Sequence, residues 1–314
     1  MLFRSTGTDD FELLDHADMV GVCANKVLSA PNLAVLYAEG DITDQTGDGI
    51  VGKKMVETRG EIAEDENIKA VVFRVNSGGG SAYASEQIHH AIALLKQEKP
   101  VVVSMGDYAA SGGYYISCNA DYIYAEPTTV TGSIGIFGLL PNMKKLADKV
   151  GISMDGVETH KHSNFDSNII TKGMTAEERA MMQAEINRGY DLFTRRCAEG
   201  RGMSQDSIKA IGEGRVWSAS RALQIGLVDE LGSLQDAINK AAELAELDKY
   251  EVEEYPKPEE LWEKLMEEFG ASARVDRMLE RRLGTDHYRA MRYMERLSEE
   301  PTIQARVPYY ITID

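Results

Sequence analysis

Four short apolar runs mark the first half of the chain, each bounded by turn residues. They are Leu33-Ala-Val-Leu-Tyr-Ala38 within 32–42, Ala70-Val-Val-Phe-Arg-Val75, Pro100-Val-Val-Val-Ser-Met105 and Asp121-Tyr-Ile-Tyr-Ala125. Their length and their β-branched and aromatic content predict strands. Between them the period changes. Residues 53–64 read as a helix, and Ile88, Ile92 and Leu95 recur at i, i+4 and i+7. Strand alternating with helix predicts an α/β fold on a parallel sheet with right-handed crossovers. Sites in such sheets lie at the carboxyl ends of strands. Two glycine turns fall there, Asn76-Ser-Gly-Gly-Gly-Ser81 and Ala110-Ser-Gly-Gly113, and are expected to lie close together.

Beyond residue 125 the pattern is more varied. Thr131-Gly-Ser-Ile-Gly-Ile-Phe-Gly138 spaces glycines among apolar residues, which suits a tightly packed loop with Ser133 pointing inward. Residues 142–150 read as a helix. Val157-Glu-Thr-His-Lys-His162 alternates, predicting an extended segment with Val157, Thr159 and Lys161 on one face. Thr175-x-x-Glu178 is a capping box that opens a long helix striped by Met182, Ile186, Tyr190, Phe193 and Cys197. Ser233-x-x-Asp236 opens another that runs through Ala245. Past Pro256-Lys-Pro258 the sequence turns to charged amphipathic helix, with Leu261, Leu265 and Phe269, then Met291, Met294 and Leu297. The expected organisation is a leader or linker over 1–30, a main domain over 31–255, and a helical tail over 256–314. The tail is expected to pack on a neighbour and to end in a strand at Tyr309-Tyr-Ile-Thr-Ile313.

Composition narrows the class. Of 314 residues, 43% are hydrophobic, enough for a large core. The net charge of −17 argues against nucleic acid and anionic membrane surfaces as partners. Cys23, Cys118 and Cys197 form no CxxC and read as free thiols. No run approaches the ~20 apolar residues needed to cross a bilayer, and the N-terminus lacks the apolar core of a signal peptide. The chain as given is expected to be soluble, which leaves room for an anchor elsewhere in a longer protein.

Candidate chemistry gathers around Ser111. It sits where a strand gives way to a helix start, so its hydroxyl lies at a sheet edge beside helix N–H groups that can bind an oxyanion. A tight Gly-Ser turn without chemistry is the plainer reading of the turn taken alone. Glycines let the 77–81 backbone approach closely, and the Gly79 and Gly112 amides can together form an oxyanion hole. A serine nucleophile needs a base. None of His16, His89, His90, His160, His162 and His287 carries a motif that marks a triad. Lys161 is the other option, because desolvation can bring a lysine toward neutrality; the default for a lone lysine is a solvated surface position. Two other chemistries have less behind them. His160-x-His162 pairs two imidazoles without HExxH or a third ligand, and Ser77-Gly-Gly-Gly-Ser81 lacks the GxxxxGK[ST] and GxGxxG phosphate patterns. No metal and no cofactor is expected.

Arg74-Val-Asn-Ser-Gly-Gly-Gly-Ser81, Ser104-Met-Gly-Asp-Tyr-Ala-Ala-Ser-Gly-Gly-Tyr114 and Thr131-Gly-Ser-Ile-Gly-Ile-Phe137 resemble the signal peptide peptidase A family. Gly214-Arg-Val-Trp-Ser218 and Gly226-Leu-Val-Asp-Glu-Leu-Gly232 fit the same family, so the resemblance covers residues 32–255. It implies a ClpP/crotonase-like spiral of ββα units and a bacterial serine endopeptidase with a Ser-Lys dyad. By position it implies Ser111 as nucleophile, Lys161 as base, Ser133 as the hydroxyl that orients the lysine amine, and Gly79 and Gly112 as oxyanion donors. Tyr114, Ile134 and Phe137 are expected, from their position, to accept small or apolar substrate side chains. The resemblance further implies cleaved signal peptides or other membrane-derived peptides as substrates, and homo-oligomeric rings or domes. It also implies a parent protein at the bacterial inner membrane, reached through a segment absent from this chain. A crotonase-type acyl-CoA enzyme and a scaffold half that only builds a ring are the rival readings.

Two departures from the family pattern stand out. Gly78 replaces the family's proline in N-S-P-G-G, which loosens the loop. The second concerns Lys161. The family's long form has two tandem halves, with the serine in the C-terminal half and the lysine in the N-terminal half. This chain resembles the C-terminal half. Lys161 follows Val-x-Thr-x as the first half's lysine does, yet His162-Ser-Asn-Phe does not match that half's K-S-A pattern. Lys161 is either the base of a self-contained unit or a relic whose task falls to a missing half.

Overall fold

The computed structural model describes residues 31–47, 49–153, 157–165 and 172–256, together with the backbone of a strand at Ile303–Arg306. The expected leader over 1–30, the amphipathic helices of the tail and the strand expected at 309–313 lie outside the described residues.

The chain builds in units of a long strand, a short strand and a helix. β1 (Leu33–Glu39) is followed by β2 (Ile42–Thr43), β3 (Ile50–Val51) and α1 (Gly52–Glu64). β4 (Ala70–Ser77) is followed by β5 (Gly79–Ser81) and α2 (Ala82–Lys96). β6 (Val101–Ala110) leads through one residue into α3 (Gly112–Ser117). Then come β7 (Tyr122–Ala125), β8 (Val130–Gly132), β9 (Phe137–Gly138), α4 (Lys144–Lys149), α5 (Ala176–Arg201) and α6 (Gln205–Ile211). The domain closes with β10 (Val216–Ser218), α7 (Ala219–Gln224), β11 (Glu230–Leu231), α8 (Leu234–Leu244) and β12 (Val252–Tyr255), and β13 (Ile303–Arg306) returns to it.

The long strands form a sheet in the order β10-β8-β6-β4-β1-β12, with β7 also on β6 and β11 on β7. Every pairing in it except β10 with β8 is parallel. The short strands form a second sheet in the order β3-β2-β5-β13-β9. This is the α/β fold on a parallel sheet, built from ββα units, that the sequence leads one to expect.

The apolar runs are unbroken because the main sheet is covered on both faces. Leu33 and Val35 of β1 and Ala70 and Val72 of β4 share a cluster with Ala237, Ile238, Ala241 and Ala242 of α8. Their neighbours Ala34, Leu36, Val71 and Phe73 point the other way, into the core that holds Ile62 of α1 and Ile88, Ile92 and Leu95 of α2. Each fully buried side chain of this size contributes about 1.5–3 kcal/mol. Both capping boxes form: Thr175 accepts from the Glu178 amide and Ser233 from the Asp236 amide. In α5 only the second half of the stripe is deep; Phe193 and Cys197 are buried, while Met182, Ile186 and Tyr190 are half-buried.

The segment over 157–162 is not extended, contrary to its alternation. Val157 is 88% exposed and residues 161–164 form a turn. A period of two makes a strand only where a neighbouring edge takes up its backbone hydrogen bonds, and none of the described strands does so here.

Candidate active site

Two devices bring the glycine turns together. The first is a register break. Val75 pairs with Met105 but Ser77 pairs with Ala109, so β6 bulges against β4. Asn76 fills the bulge, its Oδ1 accepting from the Tyr108 amide at 3.3 Å. Arg74 braces it by donating to Ser104 Oγ at 2.8 Å, to the Met105 carbonyl at 3.1 Å and to Glu126 at 3.0 Å. The second device is the close approach of α3 to the end of β4. A Cβ at Gly113 would stand 2.4 Å from the Ser77 carbonyl oxygen, so only glycine fits there.

Ser111 forms the elbow between β6 and α3, with φ 53° and ψ −116°. Positive φ at a residue with a side chain costs about 1–3 kcal/mol and clusters at functional sites. The elbow is pinned on both sides. The Ser111 amide donates to the Gly132 carbonyl at 2.8 Å, and the Ser111 carbonyl accepts from the Tyr115 amide at 2.8 Å. Parallel pairing of Ala110 with Gly132 then sets Ser133 beside Ser111 on adjacent strand ends. Ser133 is buried and also has positive φ, 49°. Ser111 itself is fully buried, and its Oγ has no hydrogen-bond partner among the described residues. Leaving a buried hydroxyl unpaired costs about 1–3 kcal/mol.

Of the two expected oxyanion amides, that of Gly112 follows Ser111 directly in the chain, and Gly79 lies on β5, which packs against α3. Gly112 opens α3, so its N–H has no acceptor within the helix. Gly79 opens β5, and its N–H donates to Ser77 Oγ at 3.1 Å. That partner escaped the sequence reading, as did the brace by Arg74. The available signal was a polar residue inside or closing an otherwise apolar strand.

Two of the three residues assigned to substrate contacts need correction. Tyr114 is fully buried, and its hydroxyl donates to the Leu227 carbonyl at 2.9 Å; burial pushes its phenol well above the usual range. Ile134 is likewise part of the main core. Both tie the site to the protein beneath it and offer no surface to a substrate. Phe137, half-buried on β9, keeps exposed surface.

Lys161 does not meet Ser111 in this arrangement. It lies on the exposed turn, 69% accessible, with its amine ion-paired to Glu177. Next to it, His162 Nδ1 is 3.1 Å from Glu178 Oε1. Both carboxylates sit in the first turn of α5, where negative charge is favoured. Glu178 also accepts from the Thr175 amide and hydroxyl, at 2.8 Å each. The Thr175 amide first, then His162 and the Thr175 hydroxyl, hold its carboxyl down at about 2. The Lys161 turn is thus moored to the start of α5.

Comparison with known proteins gives this geometry its context. The chain matches Peptidase family S49 over residues 93–248, a span that holds Ser111, Ser133 and Lys161. It is 37% identical over 276 residues to Protease 4 of Salmonella typhi, covering 87% of this chain and 43% of that protein. It is 42% identical over 220 residues to Protease 4 of Haemophilus influenzae, covering 69% of this chain and 35% of that protein. This chain therefore spans less than half the length of either Protease 4. A putative protease of Methanocaldococcus jannaschii is 35% identical over 215 residues, 67% of this chain and 68% of that protein. Likeness at this level across two thirds of both partners means that the chain belongs to peptidase family S49, the signal peptide peptidase A family.

Proposed function

We propose that the chain is a serine endopeptidase that works through a Ser-Lys dyad. Ser111 Oγ attacks the scissile carbonyl, and the lysine amine of Lys161 takes its proton. Ser133 steers the amine. The Gly79 and Gly112 amides receive the oxyanion, a task in which one donor is worth about 10²–10³-fold in rate. The amine then protonates the leaving amino group, and water, deprotonated by the same amine, releases the acyl group from Ser111. The observation that carries the reading is the Ser111 hydroxyl itself: buried, unpartnered, on a strained elbow, beside the open N-terminus of α3.

Lys161 must leave Glu177 to reach a serine, either by movement of its arm or by reaching the serine of a neighbouring copy. The second route has support on the surface. Leu139, Met143, Leu146, Val150, Ile152 and Val157 are exposed large apolar side chains within the stretch of sequence that leads to Lys161. Large apolar side chains exposed within one stretch of chain are what a contact site would cover, which favours a homo-oligomer. A second reading also has an observation behind it. The Lys161–Glu177 ion pair and the short span against Protease 4 favour a lysine supplied by a separate N-terminal half, with Lys161 a relic. The substrates in either case are peptides of signal-peptide or membrane origin, in the bacterial envelope. Among the described residues no helix is long and apolar enough to cross a membrane.

Fluorophosphonate labelling and peptide turnover test the reading. The unsubstituted chain should label on Ser111, and Ser111→Ala and Lys161→Ala should each lose turnover. Mixing the two inactive variants restores turnover if the amine crosses between subunits. Labelling that survives Lys161→Ala unchanged moves the base elsewhere, and a chain that never labels favours the missing half.

A further inference from the structure

The expected oxyanion amides belong to two different elements, so the packing between those elements sets their separation. Gly79 lies on β5, which runs straight into α2 through its cap, where Ser81 Oγ accepts from the Ala84 amide at 3.2 Å. Gly112 opens α3. A helix of 6 residues has little stability of its own, so its neighbours fix where its first turn points. α3 packs against α2 and also meets α5.

Tyr115 is the residue of α3 that joins these parts. Its amide donates to the Ser111 carbonyl at 2.8 Å, so its backbone holds the elbow. Its ring is 4% exposed, packs on Phe193 of α5 with centroids 4.5 Å apart, and stands edge-on to His89 of α2 at 5.4 Å. Its hydroxyl donates to Glu86 Oε2 at 2.5 Å. Glu86, on the second turn of α2, also accepts from Arg196 of α5: Nη2 donates to Oε1 at 2.5 Å and Nε to Oε2 at 3.4 Å. Both carboxylate oxygens are used, and three helices meet on one side chain. Burial first, then the hydrogen bond to Glu86, push the Tyr115 phenol well above its usual range, so the hydroxyl remains a donor.

Stability alone does not account for this clasp. Phenylalanine would fill the same space with no hydroxyl to satisfy, and apolar replacement of such polar groups is often neutral or favourable. What the clasp supplies is direction, because the carboxylate draws the Tyr115 hydroxyl toward one point on the helix that follows the Gly79 turn. We propose that Glu86 is a positioning residue of the active site. It holds α3 against α2 and thereby sets the distance between the Gly79 turn and the Gly112 amide, and Arg196 keeps its carboxylate aimed. The proposal rests on the protease reading in taking that distance as one that matters to the reaction.

The test compares Tyr115→Phe, which deletes a single hydroxyl, with Glu86→Ala and Glu86→Gln. Glutamine keeps the reach, offering its oxygen to Arg196 and an N–H to the Tyr115 oxygen. Each variant is assayed well below its unfolding midpoint. Tyr115→Phe and Glu86→Ala should each lower kcat for a peptide about tenfold and leave KM near its starting value, since a misplaced donor is felt in the transition state. Glu86→Gln should recover most of the loss. Fluorophosphonate should label the two disruptive variants to the same final extent but more slowly, because the extent counts folded sites and the rate reads the oxyanion hole. Amide exchange over α3 should rise in both and stay at its starting level in Glu86→Gln. Unchanged kinetics in the disruptive variants, a raised KM with kcat intact, or unchanged exchange over α3 overturns the proposal. So does a lower labelling extent at an unchanged rate, which is the mark of lost folding alone. An unsubstituted chain with neither turnover nor labelling removes the protease reading by itself, and exchange over α3 then decides whether Glu86 holds that helix.

Discussion

The Ser111 amide donates to the Gly132 carbonyl at 2.8 Å, and this bond fixes the elbow of one strand to the end of the next. Ser133 follows Gly132 directly, and its amide donates to the Arg215 carbonyl at 2.7 Å. The two serines are thus set by one run of backbone, and Gly132 is its pivot. Gly132 has φ +80°, and a Cβ there would stand 2.7 Å from Trp217 Cδ1. Trp217 cannot easily give way, because its indole N–H donates to the Ile211 carbonyl at 3.1 Å. Gly132→Ala should therefore destabilise the protein by about 1–3 kcal/mol through overpacking. It should also lower kcat/KM more than tenfold by shifting both serines. Thermal unfolding and peptide turnover measured on one preparation check this; full turnover in the variant would mean that β8 does not set the site.

Gly78 and Ser77 test how the oxyanion turn is held. A Cβ at Gly78 meets only Tyr108 Cε2, at 4.0 Å, and Gly78 has no positive φ that would exclude another residue. Gly78→Ala should then fit and stabilise by about 0.4–1 kcal/mol, by restricting the unfolded chain. The Gly79 N–H donates to Ser77 Oγ, so that bond must open before this amide can receive an oxyanion. Ser77→Ala frees the donor and should raise kcat while leaving KM near its starting value, because oxyanion donors act in the transition state. A rise in KM with kcat unchanged would assign Ser77 to substrate binding.

Much of this was legible in sequence because it leaves local marks. β-branched runs announce strands buried on two faces, and glycines announce close approaches, as at Gly80 and Gly113. The elbow at Ser111 follows from a strand meeting a helix start with glycines between. What was not legible depends on partners distant in the chain. The motif places Tyr114 near the nucleophile, but only the packing of α3 shows that its ring turns inward to Leu227. Alternation at 157–162 promises a strand, and no described strand receives it. β13 pairs with residues 165 to 227 positions earlier, and four residues of modest alternation give no hint of that.

The Gly226-to-Gly232 motif was recognisable, and its physical task emerges only in the fold. Arg201, with a side chain 7% exposed, donates to Asp229 at 2.6 and 3.0 Å and to the Gly226 carbonyl at 3.0 Å. Asp229 also accepts from the Ile123 amide at 2.8 Å, so it ties α5 to β7. Asp229 is only partly buried, its side chain 28% exposed, so removing it should cost less than the roughly 3–5 kcal/mol of a fully buried pair while still leaving the Arg201 charge unpaired. Asp229→Ala should lose stability on that reduced scale in urea titration, and Arg201→Met should lose less, since it removes the buried cation itself. Equal, small losses in both variants would show that solvent already satisfies the pair.

The mooring of the Lys161 turn carries its own pH signature. Glu178 has a folded pKa of about 2, below the ordinary value near 4.3 of an unfolded chain. A carboxyl with a depressed folded pKa contributes stability that is complete above its unfolded pKa and lost as pH falls toward its folded pKa. The window is therefore between about 4.5 and 2, with stability dropping as acid is added. Glu178→Gln keeps the shape of the capping box but has no charge to lose, so its unfolding midpoint should vary less across that window. The same substitution weakens the hold of α5 on His162, and with it on the Lys161 turn. If the turn must move for the amine to reach a serine, Glu178→Gln should raise turnover at neutral pH while lowering stability there. Urea midpoints at pH 7, 4 and 3 and peptide turnover at pH 7 read the two effects apart, and parallel midpoint curves for both proteins would remove Glu178 from any role in acid sensitivity.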